Sequence, residues 1–229
     1  MAGFSVGAVT TDLLIGYMAL FSIVNPFGLA FVYHAMTSGL SESARRSVAR
    51  KVGLYSFMVL IVSLLLGSEI LRFFGISIPA LRIAGGLVVA LSGWSMLMAP
   101  DDATEARGVA TDPASIEDKV FFPLTVPLTT GPGTIATAIA LGANRTTDLH
   151  AFVANLVASL LLAVLVALTI VIAYRNASRF AQWVGREGTR VITRLSAFLL
   201  LCIGVQIVLT GVSDVLPDLI ARGVQAGRP

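Results

Sequence analysis

Two proline-interrupted apolar segments contain the residues whose types and spacing are suited to binding a solute. The first is Asn25-Pro26-Phe27-Gly28, and the second, in the other half of the chain, is Thr130-Gly131-Pro132-Gly133. Asn is a favoured N-cap and Pro suits the first position of a helix, so each segment predicts a helix that restarts. The first N–H groups of such a helix lack intrahelical acceptors and carry the positive end of its dipole. This chemistry favours anions, and here we expect the carboxylate of a small solute.

The predicted substrate-binding residues follow from that arrangement. Glycines let a solute approach the backbone, and threonine hydroxyls add hydrogen bonds. The set is Asn25, Pro26, Phe27, Gly28, Thr129, Thr130, Gly131, Pro132, Gly133 and Thr134. Proline and glycine are frequent in membrane helices, so either interruption alone would more simply reflect packing. The matching pair favours a binding site.

The elements that must position these residues are transmembrane helices. Hydrophobic residues make up 56% of the chain, charged residues 13%, and the mean hydropathy is +0.87. Soluble domains carry about 25% charged residues. The charges cluster and leave six uncharged windows, each near the roughly 20 residues that cross a bilayer. We therefore predict an all-α membrane protein with six transmembrane helices in a single integral membrane domain, residues 1–229.

The two halves of the chain correspond when Pro26 is aligned with Pro132. Repeat one covers about residues 8–100, an acidic linker covers 101–118, and repeat two covers about 119–217. Three helices per half is an odd number, so the second copy must enter the membrane from the opposite side. The prediction is an inverted repeat whose helices 1 and 4 are broken at the membrane midplane.

Charge distribution predicts the orientation. Placing the N-terminus outside puts eleven of the sixteen Lys and Arg residues on the cytoplasmic side, which the positive-inside rule favours. Both termini are then on the non-cytoplasmic side. The basic cluster Arg45–Lys51 falls at the start of a helix that we expect to begin near Ser41, a good N-cap residue.

Several other residues are expected to have structural roles. Glu69 and Arg72 are spaced for an exposed ion pair one helical turn apart. Small residues mark helix interfaces, and a lone cysteine within an apolar helix is usually core. Aromatic residues near helix ends suit the membrane interface. These assignments are Gly85 and Gly86 for packing, Cys202 for the core, and Trp94, Trp183 and Tyr174 for the aromatic belt.

Three stretches of the sequence closely resemble the signatures of the MarC family of bacterial and archaeal membrane proteins. They are Asn25–Gly28, Phe74–Gly86 and Phe122–Ile135, within a resemblance that covers roughly residues 10–215. Together the three are specific, whereas any one alone is weak. The family usually has proline three residues after the first glycine, where this chain has Phe31, so the exit from the first interruption is expected to differ in shape.

The resemblance implies a six-helix protein of the bacterial inner membrane, distantly similar to amino-acid exporters of the LysE type. Some members of the family are linked to transport of small neutral amino acids. Carried over by motif, the site would comprise Asn25–Gly28 together with Thr130–Thr134. All of these residues belong to the set that the helix ends predict.

The resulting hypothesis is a secondary transporter of small neutral amino acids or similar small zwitterions that works by alternating access. A small-solute channel and a non-transporting membrane scaffold are the alternatives. A membrane-embedded enzyme is less favoured, because the apolar windows contain no evident nucleophile, paired carboxylates or metal ligands. We expect no cofactor, metal or nucleic acid, and the sequence leaves homo-oligomerisation open.

Overall fold

The computed structural model describes residues 6–98, 120–143 and 149–226, and the regular structure in these ranges is helical. The predicted linker, residues 101–118, lies outside them. The helices are α1 (Val6–Val24), α2 (Pro26–Met36), α3 (Glu42–Phe73), α4 (Ile78–Leu97), α5 (Pro132–Gly142), α6 (Leu149–Arg175) and α7 (Ala177–Ala226). Between α4 and α5 lies a segment of wide, π-type turns, Val120–Thr129, called the π segment below.

The helices are long and apolar enough to span a membrane. Five candidate spans are present in the described ranges: Leu13–His34, Glu42–Phe73, Ile78–Leu97, Val153–Arg175 and Glu187–Pro217. The π segment and α5 meet at 67°, and counted together they make a sixth. The prediction of an all-helical membrane protein is confirmed. The number of spans is five or six, depending on how this bent pair is counted.

Two helix starts follow from local sequence signals. The hydroxyl of Ser41 accepts a hydrogen bond from the Ala44 N–H at 3.3 Å, which caps α3 one residue before Glu42. Ser77 caps α4 in the same way through the Ala80 N–H. Both are typical N-caps, and the predicted start near Ser41 is confirmed.

Close backbone contact holds α4 against α7. A Cβ added to Gly86 would lie 2.7 Å from the carbonyl oxygen of Gly204, and one added to Gly93 would lie 2.9 Å from that of Ala197. The contacts run in opposite directions along the two chains, so the helices are antiparallel. The packing role predicted for Gly86 is confirmed, because only glycine permits this approach.

Burial in α6 and α7 overturns two of the structural assignments. Tyr174 is fully buried rather than part of an aromatic belt, while Trp183 is 88% exposed. Cys202 is exposed and not in the core.

Gly185 interrupts α7 with φ +76°, a conformation that favours glycine. This break separates the short stretch that bears Trp183 from the membrane-spanning part of the helix.

Ion pairs mark the end of the molecule that is opposite the start of α3. Arg82, in the first turns of α4, pairs with Asp214, near the end of the span Glu187–Pro217 in α7. Arg72 and Glu69 form the predicted exposed pair at 3.2 Å, late in α3. The start of α4 and the ends of α3 and of the span in α7 therefore lie at one end, while Glu42 and the start of α3 lie at the other.

Candidate functional site

The first interruption is built by Asn25. Its φ is +44°, in the left-handed region that asparagine tolerates better than most residues. Its N–H still donates to the carbonyl of Phe21 at 2.9 Å, and its carbonyl accepts from Leu29 at 3.0 Å. Its side-chain Oδ1 accepts from the Gly28 N–H at 3.3 Å. Asn25 therefore caps the helix that follows it and satisfies one of the free donors at the start of α2.

Gly28 lies where α2 meets α7. A Cβ at this position would lie 2.5 Å from Oγ of Ser196 and 2.6 Å from Nδ2 of Asn25. The close approach explains why glycine is needed here. Ser196 was not among the predicted residues, because nothing local in the sequence pairs it with a glycine so distant along the chain.

The side chain of Phe27 points away from this contact. It is 54% exposed and packs edge-on against Phe21 and Phe180, with ring centroids 5.9 and 6.4 Å apart. Of Phe27, only the backbone N–H belongs to the helix start. Pro26, immediately before it, is buried.

The second interruption follows the wide turns of the π segment. The hydroxyl of Thr129 donates to the carbonyl of Leu124 at 2.6 Å, and that of Thr130 donates to Thr125 at 3.2 Å. Both bonds reach back five residues, as does the Thr130 N–H to the Thr125 carbonyl at 2.8 Å. A hydroxyl has one proton and two lone pairs. In this arrangement the two threonines have lone pairs to offer a solute, whereas their protons are already used.

Tyr174 extends the hydrogen bonding of Thr129. The two hydroxyl oxygens are 2.9 Å apart, and both side chains are buried. Because the proton of Thr129 goes to Leu124, Tyr174 is the donor in this pair. Tyr174 was predicted to lie in the aromatic belt, and nothing local in the sequence connects it to the site.

The start of α5 differs from the start of α2. Gly131 occupies the N-cap position with φ −75° and ψ 176°, and having no side chain it supplies no capping bond. Helical bonding begins when the Ile135 N–H donates to the Gly131 carbonyl at 3.0 Å. The N–H groups of Gly133 and Thr134 precede that bond and receive no cap. One helix start is therefore capped by its own asparagine, and the other has no side-chain cap.

The two interruptions are neighbours in space. A Cβ added to Gly133 would lie 3.8 Å from Cγ2 of Ile23, in the last turn of α1, and 2.8 Å from Cγ2 of Val89 in α4. A Cβ at Gly131 would lie 2.6 Å from the carbonyl oxygen of Pro127. The start of α5 is thus enclosed by α1, α4 and the end of the π segment.

Gly85 completes this enclosure from α4. A Cβ there would lie 3.0 Å from the carbonyl oxygen of Pro132 and 3.4 Å from the nitrogen of Gly133. The packing role predicted for Gly85 is confirmed, but the surface it packs against is the helix start itself. Gly85 is therefore a neighbour of the site that the sequence analysis assigned to structure alone.

The assembled cluster is buried, polar and free of ionisable side chains among the ten predicted residues. Gly28, Gly131, Gly133 and the three threonines are all buried. Their chemistry is that of backbone N–H donors at a positive helix end and hydroxyl acceptors on the preceding turn. Such a cluster suits a solute that is neutral overall and carries a carboxylate.

A separate cavity of about 310 Å³ lies between α1, α3, α5 and α6. Its wall is largely apolar, with polar groups from Asn155 and Ser159. None of the ten predicted residues lines it. It reaches α5 at Ala140, roughly 12 Å along the helix from Pro132 at 1.5 Å per residue. The cavity lies toward the end of the molecule that carries the Arg82–Asp214 pair.

Comparison with known proteins gives a consistent result over most of the chain. The family profile described as MarC family integral membrane protein matches residues 11–216. The inner membrane protein MarC of Escherichia coli O1:K1 / APEC is 32% identical over 208 residues, which cover 88% of this chain and 94% of the relative. The MarC protein of E. coli strain K12 is 31% identical over the same shares. No solved structure is significantly similar to the chain.

Proposed function

The chain belongs to the MarC family and is an inner membrane protein, and from that premise we propose that it is a secondary transporter of small neutral amino acids or similar small zwitterions. The names of its relatives state a membrane location and no substrate. The observation that carries the proposal is the uncapped start of α5, held beside the end of α1.

The donors at this helix start suit a carboxylate. The N–H groups of Gly133 and Thr134 lie at the positive end of the α5 dipole, and both residues are buried. The ammonium group of a zwitterion needs acceptors instead. The lone pairs of Thr130, whose proton already goes to Thr125, supply one. One small buried cluster thus offers N–H donors for the carboxylate and a hydroxyl acceptor for the ammonium group.

The pattern of helix contacts supports the inverted repeat that alternating access requires. If α2 corresponds to α5, α3 to α6 and α4 to α7, then the contact of α2 with α7 corresponds to that of α4 with α5. Likewise, the contact of α3 with α5 corresponds to that of α2 with α6. Each half contributes three spans when the bent pair counts as one, so the halves enter the membrane from opposite sides, with the interruptions at the midplane.

The orientation follows as part of the same proposal, with both termini away from the cytoplasm. We expect a cysteine at Ser41 to react with an impermeant maleimide only from the cytoplasmic side, and a cysteine at Phe74 only from the other. Both positions are exposed, and Cys202→Ser removes the native thiol. The reverse labelling pattern would contradict the assignment.

Transport in proteoliposomes tests the function directly. We expect saturable counterflow of labelled glycine and alanine, with ethylamine competing poorly because it lacks the carboxylate. Flux that rises linearly with concentration would indicate a channel. Absence of both flux and thermal stabilisation across a panel of amino acids would favour a scaffold. Equal competition by ethylamine would show that the start of α5 is not the carboxylate site.

A further inference from the structure

A continuous set of buried contacts joins the candidate site to the far end of α2. It begins at Thr129, where the Tyr174 hydroxyl donates a hydrogen bond. The ring of Tyr174 stacks on that of Tyr33, with centroids 4.4 Å apart and an interplanar angle of 15°. Both tyrosines are 0% exposed. The Tyr33 hydroxyl donates in turn to the carbonyl of Arg45 at 2.5 Å.

The Arg45 side chain then fixes the C-terminal end of α2. Its guanidinium donates to the carbonyl of Thr37 at 3.1 and 3.2 Å and to that of Leu40 at 3.3 Å. A further bond goes to the hydroxyl of Ser178, just beyond α6. A cation is favourable at these carbonyls because they follow the negative end of the helix dipole. We call Arg45 with these three partners the Arg45 clasp.

The consequence is that α2 is held at both ends. Asn25 caps its start beside the candidate site, and the Arg45 clasp ties the residues after its last turn to Ser178, at the start of α7. The stacked tyrosines lie between the two. α2 is a single stretch of eleven residues, so we treat it as a rigid body. A shift of α2 relative to the π segment or α6 must separate the two tyrosine rings or break the clasp.

We propose that Tyr33, Tyr174 and the Arg45 clasp form a latch that keeps the Arg45 end of the molecule closed. This inference rests on the proposed function, since a carrier with alternating access needs contacts that close one end and part in the other state. The hydrogen bond from Tyr174 to Thr129 places the latch one residue from the Thr130-Gly131 turn. The closed arrangement is thereby linked to the position of the helix start.

The chain contains a matched control for this latch. The Tyr17 hydroxyl lies 2.9 Å from that of Thr169, which donates to the carbonyl of Leu165. The chemistry repeats that of Tyr174 and Thr129. This pair, however, joins α1 to α6, and neither of its residues belongs to the latch or the clasp. Tyr17→Phe therefore removes a bond of the same kind while leaving the hydrogen bonds of the latch in place.

A cysteine at Ala177 reports on opening of the latch without any need for transport. Ala177 is 0% exposed and adjoins Ser178 of the clasp. In a Cys202→Ser background, the rate of its reaction with an impermeant maleimide measures how often this end opens. Tyr174→Phe and Tyr33→Phe keep the rings and each remove one hydroxyl bond. We expect each to raise the rate about 3- to 10-fold, the effect of one lost hydrogen bond on an opening equilibrium.

The control and a second variant keep the test decisive. Tyr17→Phe should leave the labelling rate unchanged, and Ser178→Ala, which removes one acceptor of the clasp with little loss of volume, should raise it. Thermal melting of each variant checks folding. Unchanged rates in the Tyr33, Tyr174 and Ser178 variants, or an equal increase in Tyr17→Phe, would overturn the latch.

Adding glycine or alanine to the same assay separates the latch from the proposed function. A labelling rate that responds both to the mutations and to the amino acid supports the two together. A response to the mutations but not to any amino acid of the panel supports the latch and contradicts the proposed solute class.

Discussion

Replacing Gly131 with valine is expected to abolish counterflow of glycine and alanine. A Cβ at this position would lie 2.6 Å from the carbonyl oxygen of Pro127. That atom belongs to the backbone, so it cannot move aside as a side-chain end can. The start of α5 would have to shift, and the N–H groups of Gly133 and Thr134 would leave the position proposed to bind the carboxylate. Counterflow and binding-induced thermal stabilisation are the measurements.

Two further glycines calibrate this result. Gly133→Val is expected to be severe but less complete, because the nearest atoms are the ends of the Val89 and Ile207 side chains. Gly16→Ala should keep transport close to the level of the unmodified protein, since its nearest neighbour is a terminal methyl group of Leu162 at 3.2 Å. Normal transport by a well-folded Gly131→Val protein would remove the start of α5 from the mechanism.

Substitution of Asn25 is expected to have the second large effect, on thermal stability and on solute binding. Three substitutions separate the causes of this effect. Asn25→Ala loses the side-chain cap, worth about 0.5–2 kcal/mol. It also places alanine at φ +44°, at a cost of roughly 1–2 kcal/mol. Asn25→Gly loses only the cap. The glycine variant should therefore melt at a higher temperature than the alanine variant.

Asn25→Asp separates the fold from the binding of the anion. The carboxylate keeps the acceptor for the Gly28 N–H and is favourable at the start of α2. Thermal stability should stay near that of the unmodified protein. The added negative charge should weaken binding of a carboxylate solute by about tenfold or more. Unchanged affinity in this variant would contradict a carboxylate site beside Asn25.

Helix starts were predictable from the sequence because their signals are local. Ser41, Pro26 and Pro132 all lie at or next to the beginning of a helix, as capping preferences require. The burial of Tyr174 and the exposure of Cys202 were not predictable. α6 and the part of α7 that surrounds Cys202 are apolar on nearly all sides, so the sequence does not indicate which face turns inward.

Contacts between distant parts of the chain could not be predicted from the sequence either. Ser196 beside Gly28, and Gly85 beside Pro132, depend on how α7 and α4 cross the two helix starts. The wide turns before Gly131 were missed for another reason. Hydroxyl bonds that reach back five residues belong to an uncommon helical geometry. The sequence therefore predicted hydrogen bonds from Thr129 and Thr130 to the solute without indicating that their protons are already used.

The unequal ends of α2 and α5 bear on the stoichiometry of a carrier of the proposed kind. Duplication of a half-unit would by itself create two equivalent receptors related by the pseudo-symmetry. Asn25 caps one of them with its own side chain, whereas Gly131 has no side chain with which to cap the other. Such a protein would move one molecule per cycle. Because its two halves are no longer interchangeable, the inward-facing and outward-facing states would differ in energy. The solute would then load more readily from one side of the membrane than from the other.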